Sequence, residues 1–190
     1  MSNQIYLKPK KKVFHVIPWN SDKNIGVSYN QTMSMIDSDD WVCFLDGDAV
    51  HTTHFFGKRI EEVIESNPDY DLFTCYTNRI GFPPQIAPNV NKDTNDQKYH
   101  REFGESMWSK HGTSVIDVTD KHYISGVLIV ISKKIWEKVG GFKESQMLGV
   151  DNDIHKKVKE SGGKVGLMSG IYVQHWYRGG DKNETKHLKK

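Results

Sequence analysis

Trp41-Val42-Cys43-Phe44-Leu45-Asp46-Gly47-Asp48 is the stretch on which the reading of this chain turns. Trp41–Leu45 is apolar without a break. A strand with no polar alternation is buried on both faces, as in the middle of a mostly parallel sheet. The run stops at two carboxylates two residues apart. In extended chain, positions i and i+2 point the same way, and Gly47 lets the backbone turn and a ligand come close. Two such anions repel unless a cation or water lies between them. Mg²⁺ and Mn²⁺ prefer oxygen ligands and share their shell with substrate phosphates. An isolated Asp-Gly pair is also a common surface turn. Against that stand the apolar strand before it and Ala49-Val50 after it, which lack the alternation of a hairpin partner.

Working outward, Val13–Ile17 reads as a first strand closed by Pro18. Asn24 is placed to cap a helix with the stripe Ile25, Tyr29, Met33 and Ile36. After the acidic turn, Thr52 or Thr53 is the expected cap of a helix whose face is Phe56, Ile60, Val63 and Ile64, ended by Asn67-Pro68. Leu72–Tyr76 is a further strand. Strand, helix, strand, helix, strand is the order of an α/β domain with helices covering a sheet.

Residues 78–122 show little periodicity and carry Pro83, Pro84 and Pro88. They read as loops, the use for which would be to cover a substrate. The pattern resumes with a buried strand at Ile124–Ser132 and a short helix at Lys133–Val139, stopped by Gly140-Gly141. A third helix has the stripe Val150, Ile154 and Val158, and strands follow at Val165–Met168 and Ile171–Val173. His175 comes directly after them.

The 190 residues suffice for one domain with one core. With 36% hydrophobic and 26% charged residues, a globular protein is expected. No apolar run is long enough to span a bilayer, and Met1–Lys12 does not read as a secretory signal. The cytoplasm of the producing cell is the simplest expected location. A net charge of +2 does not argue for nucleic acid. Basic runs at Lys8–Lys12 and Lys182–Lys190 read as solvated tails, with room for weak contact with an anionic partner or membrane surface. Cys43 and Cys75 sit inside strand-like segments and read as buried reduced thiols, not as a disulfide framework or a zinc site.

Asn24-Ile25-Gly26 with Asn30, followed by the strand ending in Asp46-Gly47-Asp48, resembles the nucleotide-sugar half of GT-A glycosyltransferases, especially the family 2-like group. Ser125–Val130 with Gly140-Gly141-Phe142 resembles the segment beside the acceptor site in that family. Gly149-Val150-Asp151-Asn152-Asp153 resembles its "G-E-D-x-D" segment, and His175 matches its late histidine ligand. The resemblance runs over about 13–178. The first portion is shorter than is usual there, and Val150 stands where an acid is common.

The resemblance implies a single Rossmann-like GT-A domain over 1–178, with a mostly parallel central sheet flanked by helices. It comprises a nucleotide-sugar half at about 13–76, a loop region at about 78–122 and an acceptor half at about 123–178, before a hydrophilic tail at 179–190. It implies transfer of a sugar from a nucleoside-diphosphate sugar, UDP being the family's commonest, to an acceptor hydroxyl. Asp48, His175 and Asp46 would hold Mn²⁺ or Mg²⁺. Pro18, Trp19, Asn24, Asn30, Asp46, Gly47 and Arg178 would bind the donor. Gly126, Trp136 and His155 would border the acceptor, a saccharide or another hydroxyl compound. Asp151, or as second choice Asp153, would deprotonate the acceptor, although Asp151 at a helix start also suits a plain cap. Two other classes share these residues: a metal-dependent phosphoester or nucleotide hydrolase, and a non-catalytic nucleotide-sugar-binding domain.

Overall fold

The structure is a computed structural model that describes residues 11–144 and 148–177. Seven strands, β1 (Val13–Val16), β2 (Trp41–Leu45), β3 (Ala49–His51), β4 (Leu72–Thr77), β5 (Val115–Asp117), β6 (Leu128–Ser132) and β7 (Val165–His175), form one sheet in the order β1-β2-β6-β4-β7-β3, with β5 also on β7. β1 pairs with β2 and β4 with β7 in parallel. β6 runs antiparallel to both β2 and β4, and β3 and β5 run antiparallel to β7. The strands β1, β2, β4 and β7 therefore share one direction, and their carboxyl ends share one edge.

The uninterrupted apolar run behaves as read: all five residues of β2 are buried. Val42 and Phe44 pack in one cluster with Tyr29, Met33, Phe142, Val150 and Ile154. Trp41, Cys43 and Leu45 pack in the other with Ile60, Val63 and Ile64. Each large side chain buried in this way stabilises by roughly 1.5–3 kcal/mol. Helices α1 (Ile25–Ser34), α4 (Lys133–Lys138) and α5 (Val150–Glu160) thus cover one face, and α2 (Phe56–Ser66) covers the other.

Several expectations are corrected. Residues 78–122 are not a loop region: they hold a 3-10 turn at Pro83–Gln85, the 15-residue helix α3 (Gln97–His111) and β5. Asp96 caps α3 through a bond from the Lys98 amide (2.9 Å). The buried face of α3 is His100, Gly104 and Met107. Two of these three are not apolar, which hides the helical period. Neither Thr52 nor Thr53 caps α2; the residue before that helix is Phe55, in left-handed conformation. Thr52 instead donates its hydroxyl to the Tyr172 carbonyl (2.9 Å). Asn24 stands at the start of α1 but forms no side-chain cap. The two last strands are one: β7 is continuous, and its register against β4 shifts between Cys75 and Tyr76. Gly170 lies in the shifted stretch against the Gly112 backbone, where any Cβ would collide. The Ile124–Ser132 strand is shorter than expected and begins at Leu128.

Candidate functional site

The carboxyl end of β2 and the C-terminal end of β7 meet. Ala49 of β3 pairs with His175, and the Trp176 amide donates to the Asp48 carbonyl (2.9 Å). This crossing brings the imidazole of His175 to the acidic turn, and Asp46, Asp48 and His175 offer ligand atoms that all lie within 4.8 Å of one another. His175 Nε2 is 3.1 Å from Asp48 Oδ1, and its Nδ1 is 2.8 Å from the Arg79 carbonyl. A ring nitrogen facing a carbonyl must carry the proton, so Nδ1–H donates to Arg79 and Nε2 faces the acids. The backbone of His175 is fixed as well, its amide donating to Asn78 Oδ1 (2.7 Å).

The two carboxylates differ. The His175 bond holds the Asp48 carboxyl below its ordinary range, with burial opposing. Burial pushes Asp46 up to about 7; His175 counters this, while Asp48 and Asp151 add to it. A carboxyl kept this far from its ordinary value by burial and like charge is what an arriving cation relieves.

Asp151, at the start of α5, is a third acid that acts on Asp46. Its Oδ2 accepts from the Gly126 amide (2.8 Å) and its Oδ1 from the Asn152 amide (2.9 Å). Burial nevertheless raises its carboxyl, and the amides only partly offset that. Gln85 braces the same segment from below: its amide accepts from Ser125 N (2.6 Å) and donates to the Ser125 carbonyl and to Thr74 Oγ1. Tyr29, under the turn, has its phenol raised by burial first and then by Asp46 and Asp151.

The remaining sequence candidates divide. Gly47 stands beside Ile17, just past β1, and Pro18 and Trp19 follow it; the Trp19 ring is 78% exposed at this edge. Gly126 is joined to Asp151. Asn30 and Trp136 are not brought to the acids. Asn30 Oδ1 accepts from Trp136 Nε1 and Phe142 N (both 2.8 Å), and its Nδ2 donates to the Phe142 carbonyl and Glu144 Oε1. It spends its amide clamping α1 to the Gly-Gly-Phe segment. Asn24 likewise donates to the Glu144 carbonyl (2.6 Å). Asp153 pairs with Lys157 (2.8 Å). His155 is buried, with Nε2 on the Thr119 carbonyl (3.1 Å). Arg178 lies outside the described residues.

Asn78 and Arg79 were missed because they fall where the sequence looks aperiodic. The guanidinium of Arg79 donates to the carbonyls of Lys92, Thr94 and Trp176 and to Asn95 Oδ1, fastening the segment after β7 to the chain before α3. One signal was available: the rule that ligands gather beyond the carboxyl ends of strands applies to β4, which they follow, as much as to β2.

No curated protein matches the chain in sequence. Among solved structures, "Crystal Structure of A197 from STIV" is similar with a TM-score of 0.46 and 12% identity, over 87% of this chain and 85% of that one. The family model described as "Glycosyl transferase family 2" matches residues 4–140, a span that contains β1 to β6, the acidic turn and Asn78. The chain belongs to glycosyl transferase family 2.

Proposed function

We propose that this chain transfers a sugar from a nucleoside-diphosphate sugar, with UDP as the first base to test, to an acceptor hydroxyl, assisted by Mn²⁺ or Mg²⁺. The convergence of Asp46, Asp48 and His175 carries the reading. Two carboxylates and one imidazole suit Mn²⁺, and the oxygen share suits Mg²⁺. The fit is further supported by the burial that disfavours ionised Asp46 until a cation compensates it. Bound there, the ion would stabilise the charge that develops on the departing diphosphate.

The chain's own residues supply the rest. Trp19 presents an exposed face for the donor base, next to Pro18 and two residues after the Ile17 side chain that faces Gly47. Asp151 takes the proton of the acceptor hydroxyl. Its raised carboxyl makes it a better base than an ordinary aspartate, and the Gly126 and Asn152 amides hold it in place. Asp153 is left out of this role by its ion pair with Lys157.

Calorimetry of UDP binding with and without Mn²⁺ tests the centre. Binding should require the metal and vanish in Asp48→Ala; binding that is unchanged in Asp48→Ala rejects the assignment. Product analysis with a sugar acceptor present distinguishes transfer from hydrolysis, since a hydrolase would release the sugar to water alone.

A further inference from the structure

A second group of ligand-bearing side chains lies on the face of the sheet covered by α2. His15 of β1, Cys43 of β2 and His51 of β3 offer ligand atoms within 4.8 Å of one another. The parallel register sets His15 beside Cys43. His51 arrives from the far side of the acidic turn. Phe56 stacks on its ring (centroids 3.8 Å apart, planes 7° apart) and meets His15 edge-on at 5.2 Å. At Gly57 a Cβ would stand 3.2 Å from His15 Nε2, so the missing side chain there spares that nitrogen a tight contact. The thiol is buried, His51 half-buried and His15 exposed. Among the described residues, neither imidazole is used in a hydrogen bond to another.

We propose that His15, Cys43 and His51 form a second metal site, separate from the acidic one, that takes Zn²⁺. Two imidazoles and one thiolate are a zinc donor set, whereas Mg²⁺ and Mn²⁺ favour oxygen. Tetrahedral bonds of about 2.3 Å to sulfur and about 2.0–2.1 Å to nitrogen put ligand atoms about 3.5 Å apart. The trio therefore has to draw in by at most about an ångström, which His15 can supply from its exposed position on the edge strand. On binding, the S–H bond of Cys43 breaks, the sulfur electron pair goes to the metal and the proton goes to solvent. Water from the open side of His15 fills the fourth position. Cys43 lies three residues before Asp46 and His51 three residues after Asp48. The ion thus staples together the two strands that flank the acidic turn.

Co²⁺ titration of the reduced full chain tests the site. A sulfur-to-cobalt charge-transfer band should appear in the near ultraviolet and be displaced by one equivalent of Zn²⁺, and Zn²⁺ should raise the melting temperature. Cys43→Ser should abolish the band, and Asp48→Ala should leave it intact. Absence of the band in the parent chain, its survival in Cys43→Ser or its loss in Asp48→Ala overturns the proposal. If Cys43→Ser does not fold, His15→Ala decides from an exposed position: loss of the tetrahedral cobalt spectrum supports the site, and an unchanged spectrum overturns it. Because Asp48→Ala is read by nucleotide binding in one experiment and by cobalt in the other, the two sites fail independently.

Discussion

Asp46, Asp48 and His175 form one cluster, and His15, Cys43 and His51 form another, and both draw on the short stretch from Cys43 to His51. The first is rich in oxygen and stands at the carboxyl edge of the sheet, where its like charges await compensation. The second holds nitrogen and sulfur, lies against an aromatic ring and carries no carboxylate. The difference teaches that alternation along one strand can serve two kinds of chemistry. Cys43 of β2, on the face toward α2, meets two imidazoles, while the turn beyond the strand's end meets the acid of α5. Charge and position suit the first cluster to a diphosphate; nitrogen and sulfur donors suit the second to a softer ion.

The contrast can be broken most strongly at Asp151. Asp151→Asn keeps the shape of the side chain but removes its basicity, and transfer should fall by about 10²–10⁴-fold. Mn²⁺-dependent nucleotide binding should persist, as calorimetry would reveal; retention of the full transfer rate would take Asp151 out of the chemistry. Next in size is Asn78→Ala. It deprives the buried His175 amide of its acceptor, at a cost of about 1–3 kcal/mol in urea unfolding. It should also weaken Mn²⁺ binding while leaving the cobalt spectrum of the second cluster alone. Equal damage to both metal sites would mean that the clusters are not separable.

A smaller effect is expected from Phe56→Leu, which removes the ring stacked on His51 and should cost about 0.5–1.5 kcal/mol beyond the lost area. Here only the cobalt spectrum should change, and an altered nucleotide affinity would argue for coupling across the turn. The smallest effect concerns a histidine in neither cluster. His100 is buried between Tyr172 Oη (2.7 Å) and the Thr94 carbonyl (3.0 Å). Burial holds it below the ordinary value of 6.5. The unfolded chain therefore binds the extra proton more readily, so stability is full above 6.5 and is lost as pH falls below it. Urea midpoints at about pH 7.5 and about pH 5.5 should differ less in His100→Gln than in the parent chain. An unchanged difference would assign the acid sensitivity elsewhere.

The element order of the first half was legible because it rests on local rules. Trp41–Leu45 is buried on both faces whatever surrounds it, and Ile60, Val63 and Ile64 announce α2 by spacing alone. α3 was not legible. Its buried face is a histidine that needs Tyr172, a glycine that lets Thr52 close in, and one methionine. Each makes sense only once β7 lies beneath it. Asn30 offers the same lesson in reverse. Its place in the family-like pattern suggested a donor contact, yet Trp136 and Phe142, more than a hundred residues away, take up its amide.

By itself the sequence determined an α/β chain, a fully apolar central strand and two acids at its end, because burial period and residue chemistry act over a few neighbouring positions. Only the tertiary structure decided which imidazole reaches which acid, and that Cys43 has two histidines beside it. Those six side chains come from β1, β2, the acidic turn, β3 and β7. No spacing along the chain encodes their approach: it follows from strand order and from the way β7 crosses to pair with β3.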